Sequence, residues 1–222
     1  MSLRLHPDAL PPGLLPPCLP TSATEVPTGR QWLHEIKHDG FRVIARKIGE
    51  RVRLFSPSGN NLTGRFPLII EAIARLQIDS CIIDGEAVAC GPDGVSCFEL
   101  ICGSDTDERV FLWAFDLVEL SGQDMRRDTL EARKGALERI LIGAGPGIGF
   151  NKHIKGDGAS IFQDACKLGL EGIVSKRKDS RYISGRSLHW IKSQNPSAPA
   201  VRRKLEEDWS RQTIKHEREQ SV

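Results

Sequence analysis

The 222-residue sequence has no apolar run near the roughly 20 residues that cross a bilayer, so no membrane partner is expected. Its opening, Met1 to Pro7, meets proline before an apolar export core can form, and a cytoplasmic location is expected. Its six cysteines include no Cys-x-x-Cys pair, which argues against a zinc cage and for reduced thiols. An excess of one charge is also lacking. The 31 basic and 29 acidic residues leave a net +2, so the whole chain is no polybasic binder of nucleic acid. Hydrophobic residues at 39% and charged residues at 27% are present in the proportions of a chain that buries a core.

Three compositional regions follow. Residues 1–29 hold seven of the thirteen prolines, which fix φ and remove donors, and read as an extended arm on a body. Residues 30–194 read as that body. A strand is expected over Gln31–Lys37. A hairpin is expected from Phe41–Arg46 and Val52–Phe55 around Gly49. A helix over 66–76, a strand over Cys81–Ala89 and a turn at Gly91–Gly94 come next. Val110–Val118 is a near-continuous apolar run, as in a strand covered on both faces. Helices over Leu130–Ile142 and Ala159–Leu168, then strands near Gly172–Lys176 and His189–Lys192, complete an α+β pattern of antiparallel sheets. Residues 195–222 carry dense alternating charge with sparse apolar residues and read as a helical tail.

Chemistry concentrates in four stretches. In Glu35-Ile36-Lys37-His38-Asp39-Gly40-Phe41-Arg42, extended backbone would place Lys37 and Asp39 on one face. Gly40 permits a close approach, and Arg42 offers a planar fork for phosphate or ribose oxygens. The others are Asp84-Gly85-Glu86, Glu171-Gly172-Ile173-Val174-Ser175-Lys176, and Trp190-Ile191-Lys192.

In this order the stretches resemble the covalent nucleotidyltransferases, and among them the ATP-dependent DNA ligases. Lys37-His38-Asp39-Gly40-Phe41-Arg42 matches the nucleophile motif Lys-x-Asp-Gly-x-Arg in full. Asp84-Gly85-Glu86, Trp113-Ala114-Phe115-Asp116 and Glu171–Lys176 match the next three motifs, and Trp190–Gln194 matches half of the last. The pattern is most similar to the ligase modules of bacterial end-joining proteins of the ligase D type, over about residues 15–200. The resemblance implies an α+β nucleotidyltransferase (ATP-grasp-like) fold of antiparallel sheets flanked by helices, without the C-terminal OB barrel. It implies ATP as AMP donor and Mg²⁺ as cofactor.

By the same resemblance, Lys37 forms a lysyl-AMP and Lys192 assists it. A free lysine titrates near 10.4, so added positive charge would favour the reactive neutral amine. Glu86 and Glu171 would hold the metal through hard oxygens. Arg42 and Glu86 would hold the ribose, Phe115 and Val174 the adenine, and Lys176 would lie near the phosphates. Glu35, Ile36 and Asp39 join the nucleotide-binding set. The substrate would be DNA with nicks or ends, reached from the nucleoid. Residues 171–192 carry a local +4, so Arg177, Lys178, Arg181 and Arg186 are expected to contact DNA.

Three departures accompany the match. Pro57 stands where the family carries an arginine that reads the nick phosphate, with Arg53 and Arg65 nearby. Gln194 stands where the last motif has its second lysine. Only 28 residues follow Gln194, fewer than a barrel needs, so a partner chain or end-joining factors are expected to supply the DNA clamp. These departures motivate an alternative, a ligase-like DNA- and ATP-binding module without turnover. An RNA ligase or capping-type guanylyltransferase ranks below it.

Overall fold

The computed structural model describes residues 16–102 and 109–202. Most of the arm (1–15) and of the tail (203–222) lies outside the described residues. Two sheets form the body. One has five strands in the order β1 (Cys18–Ser22), β11 (Gly185–Gln194), β10 (Gly172–Arg177), β2 (Trp32–Ile36), β9 (His153–Ile154). The other runs β4 (Arg51–Phe55), β3 (Phe41–Ile48), β5 (Ser80–Val88), β6 (Phe111–Leu120), β7 (Gln123–Asp124), with β8 (Ile148–Phe150) beside β6. The helices α1 (Pro67–Ala74), α2 (Phe98–Cys102), α3 (Leu130–Ile140) and α4 (Gly158–Lys167) accompany them among the described residues.

Local chemistry accounts for the boundaries. Thr129 caps α3 by accepting from Ala132 N, and Asp157 caps α4 by accepting from Ser160 N at 3.0 Å. The β3–β4 hairpin turns at Gly49, whose φ of +56° suits glycine. Gly40 is close-packed against backbone: a Cβ there would sit 2.3 Å from the Ala87 carbonyl oxygen.

Most strand pairs are antiparallel, as expected, but two are parallel. β1 pairs parallel with β11, and β8 pairs parallel with β6. The proline-rich arm therefore ends in a strand. Pro20 breaks its register, as a residue without a donor must. The expectation that β6 is covered on both faces is corrected too. Leu112, Ala114 and Asp116 are buried, while Phe111, Trp113 and Phe115 alternate with them and are only half-buried. Of these rings, Phe115 lines a cavity and packs against the smaller core.

The larger core joins α1, α3 and the inner faces of β3, β4, β5 and β6 through Val43, Leu54, Ile69, Ile83, Leu112 and Leu137. A smaller one, with Cys18, Leu33, Val118, Leu130, Tyr182 and Trp190, ties the two sheets together. Beside it lies a wholly buried ion pair. Arg133 Nε and Nη2 donate to Asp116 at 2.7 and 2.9 Å, and Arg133 Nη1 donates to the carbonyls of Asp128 and Ser180. Removing one partner leaves a desolvated charge, so Asp116→Ala should lose about 3–5 kcal/mol of stability in urea unfolding. A loss below about 1 kcal/mol would show that water reaches Arg133.

Candidate active site

Strand register assembles the site. β10 pairs with β2 and with β11, so Glu35, Val174 and Lys192 lie in one row, and Leu33, Lys176 and Trp190 in the next. In the other sheet Arg42 lies opposite Glu86, and Glu86 opposite Trp113. Phe115 follows on the same face of β6. Between the sheets is a cavity of about 210 Å³, walled by these rows except Leu33 and Trp113, and by Ile36, Lys37, His38 and Asn151. Of the expected residues it gathers Lys37, Lys192, Glu35, Ile36, Arg42, Glu86, Phe115, Val174 and Lys176.

Lys37 follows the end of β2, where its N–H donates to the Gly172 carbonyl at 3.0 Å. Its Nζ lies 2.6 Å from Glu171 Oε2, with the lysine side chain 19% exposed and the glutamate 2%. The nucleophile candidate and a metal candidate are thus in direct contact. Asp39 does not share the cavity. The strand ends at Ile36 and the chain bends, so the two-residue period no longer holds. Asp39 lines a neighbouring groove with Ser96 and Glu171, and its N–H donates to Ser96 Oγ.

Most charges in the cavity wall arrive already paired. Glu35 is buried, with Lys134 and Lys176 each 2.7 Å from its carboxylate. Burial alone would raise that carboxyl, but the two ammonium groups outweigh it and hold it below the usual range. Lys176 is 2% exposed, lies over the rings of Phe115 and Trp190 at 4.4 and 4.1 Å, and is pushed down by burial and by Lys134. Its charge is held by Glu35 and the aromatic wall. Arg42 forks onto Asp84 at 2.9 and 2.6 Å and donates to the Cys18 carbonyl at 2.6 Å. Burial works against that charge, but Asp84 holds the guanidinium above its usual pKa. Tyr182 Oη donates to the same carboxylate at 2.6 Å.

Glu86 is the exception. Among the described residues nothing donates a hydrogen bond to it, and burial pushes its carboxyl up to about 7, with Glu171 and Asp84 opposing the pull of Lys37 and Arg42. A half-buried carboxyl on the cavity wall without a donor suits a ligand hydroxyl or a cation. Among the described residues no cluster of three or more His, Cys, Asp and Glu could cage a metal alone. Glu86 and Glu171 fit Mg²⁺ in the usual manner, with one or two carboxylates completed by substrate phosphates.

Three contributors went unnoticed in the sequence. Asn151 Oδ1 meets His38 Nε2 at 3.1 Å, and its Nδ2 reaches Glu35 and the Ile36 carbonyl at 3.4 Å. His38 stacks on Trp113 at 5.4 Å and is held below its usual pKa, chiefly by burial. Lys134 crosses from α3 to Glu35 and donates to the Asn151 carbonyl. His38 was legible, as it stands inside the nucleophile motif; Asn151 and Lys134 carry no local signal.

The basic surface is smaller than the residue count implied. Lys176 is buried and Lys192 faces the cavity. Arg177 is held by Asp179, Lys178 is half-buried, and Arg181 and Arg186 are exposed, with Arg186 reaching the Pro20 carbonyl at 3.4 Å. Pro57 sits in a tight Ser56–Asn60 loop. Arg65 points away from it, donating to the Ile101 carbonyl and lying over Phe41. Among the described residues no helix is long and apolar enough to cross a membrane.

The sequence and the fold have counterparts among known proteins. The family model for the ATP-dependent DNA ligase domain matches residues 20–194. The chain belongs to the ATP-dependent DNA ligase domain family. It is 34% identical over 175 residues to the multifunctional non-homologous end joining protein LigD of Pseudomonas aeruginosa, covering 77% of this chain and 21% of that protein. A DNA ligase-like protein of Bacillus subtilis, LigB, is 28% identical over 81% of the chain and 67% of its own length. The crystal structure of the ligase domain of Mycobacterium tuberculosis LigD superposes with a TM-score of 0.72 at 35% identity, over 81% of this chain and 60% of that one. A mycobacterial DNA ligase D complexed with ATP superposes at 0.71. The α+β nucleotidyltransferase fold is therefore shared, and the chain spans about a fifth of the LigD proteins it matches.

The Glu86 environment has a consequence for stability. A carboxyl raised from 4.5 to about 7 costs nothing below its unfolded pKa, where it is protonated in both states. The cost grows as pH rises from the unfolded pKa to about 7 and stays at its full size above that. Glu86→Gln in nucleotide-free protein with chelator should therefore be stabilising at pH 8, by about 2 kcal/mol, and near-neutral at pH 4. Thermal melts at the two pH values check this; equal effects at both would place Glu86 in water.

Proposed function

We propose that this chain is the adenylating unit of an ATP-dependent DNA ligase of the end-joining type. Residues 30–194 do the chemistry. The observation that carries this reading is Lys37 Nζ, held 2.6 Å from Glu171 at the wall of a cavity that also gathers Arg42, Glu86, Phe115, Val174 and Lys192.

In this reading the adenine enters between Phe115 and Val174, and the ribose hydroxyls meet Glu86 and the free edge of the Arg42 fork. The neutral Lys37 amine attacks the α-phosphorus. The N–P bond forms, the bond from that phosphorus to the bridging oxygen breaks, and pyrophosphate leaves. Glu171 is the carboxylate placed to take the proton that the ammonium must lose. Lys192 offers positive charge to the phosphoryl oxygens as their charge grows. Mg²⁺, held by Glu86 and Glu171, would supply further charge neutralisation on those oxygens. The AMP then passes to the 5′-phosphate of a nick or end, after which a 3′-hydroxyl displaces it. DNA approaches over Lys178, Arg181 and Arg186, with further clamping from a partner chain or domain.

Incubation with radiolabelled ATP and Mg²⁺ should put label on the wild type that survives denaturing electrophoresis. Intact mass should rise by one AMP, and Lys37→Ala should show neither; an unlabelled wild type would remove the reading. Replacing Arg181 and Arg186 together by alanine should weaken nicked-duplex binding about tenfold at low salt and reduce the salt slope by about 2. An unchanged slope would move the DNA face elsewhere.

A further inference from the structure

We propose that Gln194 is a positioning residue for the nucleophile, acting through Glu171; the proposal rests on the reading of Lys37 as the adenylated residue. Gln194 Nε2 donates to Glu171 Oε1 at 3.2 Å, and Glu171 Oε2 is the atom 2.6 Å from Lys37 Nζ. One carboxylate thus has one oxygen fixed by the amide and the other on the lysine. Gln194 itself does not line the cavity, and its side-chain contact at the site is with the Glu171 carboxylate.

The backbone reinforces the same arrangement. Gly172 pairs with Gln194, and a Cβ at Gly172 would stand 2.1 Å from the Ser193 carbonyl oxygen. Its φ of +140° is likewise open to glycine alone. Asn195 donates through its N–H to the Glu171 carbonyl and through Nδ2 to the Leu170 carbonyl. On the other side Gly172 accepts from the Lys37 N–H. Residues 170–172 are therefore clamped by Gln194 and Asn195 and in turn hold Lys37 by backbone and side chain. A neutral amide suits the post: it donates to the carboxylate without bringing a second cation to compete for it.

The test uses the full chain with Gln194→Leu, which removes the donor, and Gln194→Glu, which keeps the shape but repels Glu171. In nucleotide-free protein, acylation of Lys37 by an amine reagent is followed by peptide mass spectrometry, with the exposed Lys152 as internal standard. Loosening the pair should speed Lys37 acylation about fivefold in both variants. In single-turnover labelling, the rate constant at saturating ATP should fall about tenfold while half-saturating ATP stays within about twofold. Unchanged acylation in both variants overturns the proposal. So does a raised half-saturating ATP concentration with an unchanged rate constant, because Gln194 would then touch the nucleotide. If Gln194→Leu fails to fold, Gln194→Glu carries both readouts. Should the wild type take up no AMP, the proposed function falls, and the acylation arm still decides whether Gln194 holds Lys37 through Glu171.

Discussion

The contact between Lys37 and Glu171 depends on a strand register, and most of the site follows from that register. Lys37 leaves β2 one residue after Ile36, and Glu171 enters β10 one residue before Gly172. Antiparallel pairing of those strands, with Ile36 opposite Ile173, brings the two ends together. A slip of one residue would turn Glu35, Val174 and Lys192 to the other face and empty the cavity of its chemistry. The central pairings of the five-stranded sheet are therefore as much a part of the site as the side chains.

The cavity is also an electrostatic compromise. Glu35, Lys134 and Lys176 are nearly free of water, and an isolated charge there would cost several kcal/mol. Two cations on one carboxylate leave the trio net positive, which suits an anionic ligand while the charges hold one another in place. Arg42 is fixed in the same way by Asp84, itself steadied by Tyr182. Rigid, pre-paired groups lose little freedom when a ligand arrives, and they face a site built to stabilise charge without reorganising.

Much of this was legible in the chain itself. The nucleophile motif, the Asp84–Glu86 strand and the Glu171–Lys176 strand name residues that do meet, because each lies within a strand or next to the end of one, where strand pairing fixes its place. Asp39 shows the limit of that rule: parity fails once the chain leaves the strand at Ile36. Asn151 arrives through a three-residue parallel pairing of β8 with β6, a contact that no local pattern announces. Lys134 lies on a helix whose charged residues resemble a solvated face, yet its long side chain is buried against Glu35. Summing charges over 171–192 likewise could not tell Lys176, neutralised inside, from Arg181 at the surface.

Gln194 and Glu86 explain why a departure from the family pattern need not empty the site. A lysine at 194 would set a second ammonium on the carboxylate that Lys37 already uses. With glutamine, the Glu171 carboxylate keeps its donor while its charge stays with Lys37. Glu86, lacking any donor among the described residues and poised near neutral pH, is the one acid in the cavity whose needs are unmet. The other charges on the wall are largely paired before a ligand arrives, so ligand binding has its largest electrostatic effect at Glu86.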